Sequence, residues 1–184
     1  HKLVPAFSYG TPIALIITLL VMIIGYVNYR NPRVETIEII SNKIEDDVRI
    51  AVVSDIHLGY GTNKNKLERY VELINSQNPD IVVIVGDLID NSLHHVREQH
   101  MNETLSNIKV EKGVYMVLGN HEYISGVEES IDYLRTTPIT LLRDSVATPV
   151  EGLTIIGRDD RTNRRRMPLQ ELGNKVDSTL FRVV

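Results

Sequence analysis

Asp55, His57, Asp87, Asn120, His121 and Glu122 are the residues of this sequence whose types and spacing suit metal ligation and proton transfer. One residue, Ile56, separates Asp55 from His57, so in an extended backbone both side chains project to the same side and could grip one ion. Asp87 follows Gly86; the glycine frees the turn, and the carboxylate has two oxygens to place between two ions. Asn120 offers a neutral amide oxygen, and its neighbour His121 is free for proton work. Carboxylate, imidazole and amide donors suit Mn, Fe or Zn better than a metal needing soft ligands. Two such ions about 3.5–4 Å apart clamp a phosphate and acidify water. The chain has no cysteine, which removes thiolate ligands, thiol catalysis and disulfides. Taken singly, Asp-x-His and Gly-Asp are ordinary capping or turn pairs.

The weight comes from where these clusters fall. Val48 to Val53 runs into Ser54-Asp55-Ile56-His57, Ile81 to Val85 into Gly86-Asp87, and Val114 to Leu118 into Gly119-Asn120-His121-Glu122. Short, continuous, β-branched runs are how strands covered on both faces read. In a parallel sheet their C-terminal ends share one edge, where ligands bind. Between them, Leu67, Tyr70, Val71 and Ile74 fall at i, i+3, i+4 and i+7, an amphipathic helix stopped by Asn78-Pro79. A second helix is expected over Leu93 to Ile108 with Ser92 as its N-cap, and a third from a capping box at Ser125-Gly126-Val127-Glu128 through Leu134. Ile139 to Leu142 and Leu153 to Ile156 read as further strands, and Val34 to Ile40 alternates as a half-exposed one. The order βαβαβαβ places the chain in the α/β class.

The set Asp55-x-His57, Gly86-Asp87 and Gly119-Asn120-His121-Glu122 resembles the calcineurin-like metallophosphoesterase family, and its membrane-attached bacterial members most. The resemblance implies a sandwich of two β-sheets flanked by helices, and hydrolysis of phosphate ester or pyrophosphate bonds. It implies two divalent metal ions, Mn²⁺ first, with Fe or Zn as alternatives. Asp55 and His57 would ligate the first metal, Asp87 would bridge both, and Asn120 would ligate the second. His121 would protonate the leaving alkoxide or steady the phosphoryl oxygens, and Glu122 would hold the His121 ring in place. The family completes its site with a later His and a Gly-His-x-His motif, and no histidine follows His121 here. The expectation is therefore the N-terminal half of the catalytic domain, over residues 48–184, inactive as it stands. The rival expectation is a membrane-tethered scaffold that keeps the fold without the chemistry.

From Leu3 to Tyr29 there is no charged side chain, and Ile13 to Val27 is almost solidly apolar. About 20 such residues span a bilayer as a helix. Pro12 suits a first turn, and Tyr9, Tyr26 and Tyr29 bracket the run as interfacial aromatics do. A retained transmembrane helix over about 11–29 is expected within a membrane segment of residues 1–30, with residues 31–47 as a connecting strand or linker. The first residue is His, so upstream sequence is expected. The implied location is a bacterial inner or plasma membrane. The implied partners are membrane lipid and a phosphorylated small molecule or lipid-linked phosphate. With 20 basic against 24 acidic residues the net charge is −4, which argues against nucleic-acid binding.

Weaker signals remain. His94, His95 and His100 read as solvated helix residues. Arg158 to Arg166 holds five arginines around Asp159 and Asp160, either a phosphate-recognition loop or an ordinary mixed-sign surface loop. Asp90-Asn91 could orient Asp87 or simply open a helix. Gly59-Tyr60-Gly61-Thr62 lacks the Lys-Ser/Thr of a P-loop.

Overall fold

Helix α1, Gly10–Arg30, opens the part of the chain that the computed structural model describes, residues 10–184. Tyr9 and the residues before it lie outside the described residues. At a rise of about 1.5 Å per residue, the 21 residues of α1 match the thickness of a bilayer's hydrocarbon core. Its apolar side chains are all exposed, and the hydroxyl of Thr18 turns inward to donate to the Ala14 carbonyl at 2.9 Å. The helix is long and apolar enough to cross a membrane. Val34 to Ile40, expected as a strand, forms none, and Ile37, Ile39 and Ile40 stand exposed. Alternation makes a residue run compatible with a sheet, but a strand needs a partner ladder, and among the described residues this segment has none.

Ser41–Val184 forms a second unit, described by itself. Four strands, β1 Ile50–Val53, β2 Ile81–Val85, β3 Val114–Val117 and β4 Ile139–Leu141, make one parallel sheet in sequence order. Period-two alternation decides which residues meet which layer. Val82, Ile84, Val114 and Met116 face the helices, in a core with Leu67, Val71 and Ile74 of α2, Lys64–Ser76. Ile81, Val83, Tyr115 and Val117 face the other way, onto Leu153 and Ile155 of a second sheet. That sheet orders β5 Ser145–Val150, β6 Leu153–Gly157 and β7 Phe181–Val183, antiparallel and then parallel. The architecture is thus α/β, two packed sheets with helices outside, as the resemblance implies.

Three local differences have physical causes. The helix expected over Leu93 to Ile108 is two, α3 Leu93–Glu98 and α4 Met101–Leu105. His100 between them has φ 51°, a left-handed residue that breaks the ladder. Ser92 does cap α3, accepting the His94 N–H at 3.2 Å. A short helix α5, Asn120–Ile124, precedes α6, Val127–Leu134. Ser125 therefore ends one helix instead of capping the next, and Gly126 takes the turn. Helix α7, Leu169–Asn174, buries only Leu172 and carries no periodic run to betray it.

Candidate metal centre

The loops after β1 and β2 are zipped together. The N–H groups of Asp55, His57 and Leu58 donate to the carbonyls of Gly86, Asp87 and Leu88 at 3.3, 3.0 and 2.7 Å. To make these bonds the chain leaves the strand geometry: Asp55, His57 and Asp87 have φ of 54°, 51° and 52°. The extended Asp55-Ile56-His57 expected from sequence is therefore replaced by two left-handed residues, a conformation that Asp and His tolerate better than most. Convergence survives by this other route. Donor atoms of Asp55, His57 and Asp87 all lie within 4.8 Å of one another.

A second cluster, His57, Asp90 and His121, is equally tight. Asp90 Oδ1 lies 3.2 Å from His121 Nδ1 and 3.5 Å from His57 Nδ1. The Asp90 backbone carbonyl stands 3.2 Å from the same His121 nitrogen. The two imidazoles meet edge to face, 4.4 Å between centroids at 87°. His57 joins the clusters, since its Nε2 lies 3.7 Å from Asp55 Oδ1. Its Nδ1 faces the Asp90 carboxylate, the kind of partner that orients a metal-ligating histidine.

The side-chain hydrogen bonds of Glu122 go to backbone N–H groups. Its side chain is fully buried. Oε2 accepts the N–H groups of Asp87 and Gly119 at 3.0 and 2.8 Å, and Oε1 accepts that of Ile89 at 2.9 Å. The carboxylate thereby latches the β2 loop to the β3 loop. Burial pushes its pKa up, against the lowering effect of the three backbone donors. The residue that reaches the His121 ring is Asp90, which the sequence suggested only as a neighbour of Asp87. Asp87 Oδ1 accepts the His121 backbone N–H at 2.8 Å. Asn120 starts α5 with an exposed side chain, one residue before His121.

Two glycines let these loops touch. Gly86 has φ 74°, and a Cβ there would fall 2.8 Å from Gly119 Cα. A Cβ on Gly119 would collide with the Asp87 carboxylate and stand 2.6 Å from its backbone nitrogen. The contact works only without side chains on either residue.

A family model of calcineurin-like phosphoesterases matches residues 48–175. The chain belongs to that family. Calcineurin-like phosphoesterases are metal-dependent hydrolases, and this member is 38% identical over 142 residues to a "Transmembrane protein with metallophosphoesterase domain" from Danio rerio, covering 74% of this chain and 32% of the relative. An "Uncharacterized metallophosphoesterase" of Aquifex aeolicus is 30% identical over 135 residues, 72% of this chain and 51% of the relative. The "UDP-2,3-diacylglucosamine pyrophosphatase LpxG" of Chlamydia trachomatis is 31% identical over 84 residues, 46% of this chain and 25% of the relative. The chain spans about a third of the length of the Danio rerio relative.

The donor set at the strand ends fits a divalent cation. It is built of carboxylate and imidazole, hard to borderline donors, and among the described residues the ion pairs of Asp55 and Asp90 are with imidazoles. Negative charge gathered at one edge is charge that a cation would balance. His94, His95 and His100 join neither cluster: His95 pairs with Glu98 at 3.2 Å and His100 with Glu103 at 3.8 Å.

Proposed function

We propose that the protein hydrolyses phosphate ester or pyrophosphate bonds with two divalent cations bound at the edge where β1, β2 and β3 end, while α1 anchors it in a membrane. The observation that carries this reading is the convergence of Asp55, His57, Asp87, Asp90 and His121 from three strand ends. Asp55 and His57 would hold one cation, Asn120 the other, and Asp87 both. Divalent ions so held supply charge neutralisation of the phosphate and an acidified water. Mn²⁺ suits the donors, and Fe or Zn would also.

The chain's own residues handle the proton. With Nδ1–H of His121 directed at Asp90, the ring presents Nε2 to a leaving oxygen. As imidazolium it gives that oxygen a proton, and Asp90 stabilises the charged ring and fixes its orientation. The latch of Glu122 keeps Asp87 and the N-terminus of α5 in register while this happens. A membrane anchor tethers the protein to a lipid surface, which suits a lipid-linked phosphate. The printed name of the Chlamydia trachomatis relative, a diacylglucosamine pyrophosphatase, supports that substrate class.

The test is Mn²⁺-dependent hydrolysis of bis(4-nitrophenyl) phosphate and of a pyrophosphate diester by the full-length protein. Asp87→Asn and His121→Ala should each lower the rate at least about a hundredfold. Metal analysis should give two ions per chain in the wild type. Undiminished activity in both variants would sink the reading.

A further inference from the structure

The loop after β6 carries five arginines, and it is mounted on the helix that bears His121. β6 ends at Gly157, where a Cβ would collide with Leu142 and come within 3.1 Å of Val117 at the end of β3. The chain after β6 therefore leaves the fold beside the end of β3. Asp159, 1% exposed, anchors it. Its two oxygens take the Tyr123 hydroxyl at 2.7 and 2.8 Å, Arg143 Nε at 2.7 Å, Asn163 Nδ2 at 2.8 Å and the Asp160 N–H at 2.9 Å. Asp144 ties both ends of the loop, accepting the Asp159 N–H at 3.1 Å and the Met167 N–H at 2.9 Å. Tyr123 lies two residues beyond His121 on α5.

A buried carboxylate is costly unless every lone pair is met, and here a fully met one serves a surface loop. Two of the arginines complete the scaffold: Arg158 Nε donates to the Met167 carbonyl at 2.8 Å, and an Arg166 Nη to the Asp159 carbonyl at 3.4 Å. Arg161, Arg164 and Arg165 are exposed, Arg161 beside Asp160. The Arg164 and Arg165 guanidiniums have no hydrogen bond or ion pair among the described residues. Planar guanidinium forks match phosphate oxygens two at a time. We infer that this loop is an anion-recognition element whose Arg164 and Arg165 bind a second phosphate group of the substrate, beside the one that reacts. The inference rests on the hydrolase reading and adds that the substrate carries more than one phosphoryl group.

Binding can be read without turnover. Inorganic pyrophosphate titrated into the metal-free full-length protein by calorimetry should show saturable binding. Arg164→Ala/Arg165→Ala should weaken it at least tenfold, and Arg164→Lys/Arg165→Lys should restore part of it. No saturable binding, or equal binding by the alanine variant, overturns the inference. In the Mn²⁺ enzyme the alanine variant should raise KM for a pyrophosphate diester about tenfold with kcat within about twofold, and leave bis(4-nitrophenyl) phosphate unchanged. Equal losses on both substrates would also overturn it. Loss of pyrophosphate binding by the wild type in discs containing phosphatidylglycerol, but not in phosphatidylcholine discs, would assign the arginines to lipid headgroups instead. A wild type that binds pyrophosphate but cleaves neither ester refutes the hydrolase reading alone.

Discussion

Replacing Glu122 tests whether that carboxylate acts on the fold or on the His121 ring. Three backbone donors lean on it, and that of Ile89 belongs to a fully buried residue, while Asp87 and Gly119 are half-buried. A hydrogen bond to a charged acceptor contributes about 1.5–3 kcal/mol, and a buried donor left unmet costs about 1–3 kcal/mol. Glu122→Ala leaves all three unmet but recovers the cost of burying the carboxylate, which burial already pushes toward the neutral form. The net loss should be about 3–5 kcal/mol. Glu122→Gln can keep an oxygen on the pair from Asp87 and Gly119 while turning its amide donor against the Ile89 N–H, a loss of about 1.5–3 kcal/mol. For a folded unit of this size each kcal/mol shifts Tm by roughly 2–4 °C. Urea and thermal unfolding followed by far-ultraviolet circular dichroism would measure both, with alanine worse than glutamine. A Glu122→Ala protein within about 1 kcal/mol of wild type yet devoid of activity would refute this reasoning, and would return Glu122 to the role of holding His121.

Asp90→Asn keeps the shape but weakens the hold on both imidazoles, so kcat should fall about 10–100-fold with the fold intact, read by steady-state kinetics beside a melting curve. Gly119→Ala pushes a methyl group into the Asp87 carboxylate. Metal content should drop while the dichroism spectrum persists, and full metal occupancy would contradict the packing described. Burial alone would raise the Asp159 carboxyl, but Arg143, Asn163 and Tyr123 overcome it and hold it below the ordinary range. Its contribution is complete above the unfolded value and is lost as pH falls through the lowered folded one, so wild-type stability should decline below about pH 4. Asp159→Asn should be less stable at neutral pH and lack that component of the decline, as denaturant midpoints across pH would show.

How far the sequence carried the fold depends on how local each signal is. β2 occupies Ile81–Val85, the run visible by eye, because a strand covered on both faces leaves an unbroken apolar stretch. α2 shows its buried face as Leu67, Val71 and Ile74. β5 alternates small and polar residues around Pro149, and α5 is five residues built on the motif itself. Neither has a periodicity long enough to read. At the site, residue types and strand-end positions could be read, so the convergence of Asp55, His57 and Asp87 was expected. Backbone conformation could not: the left-handed turns arise from bonds between two loops about thirty residues apart. The same limit hid the partners of Glu122 and Asp90, which are set by long-range packing and leave no spacing rule behind.

The Glu122 latch also bears on how a cation would arrive. Two of its three bonds, from the Asp87 and Ile89 N–H groups, join the β2 loop to the β3 loop through protein atoms alone, and the third, from Gly119, fixes the β3 loop itself. The conformational entropy of ordering those loops is therefore lost when the chain folds, not when an ion is taken up. Metal uptake then resembles a ligand entering a preorganised cavity. It should raise the melting temperature by simple mass action, in contrast to small zinc modules, which have no folded state until the metal assembles them.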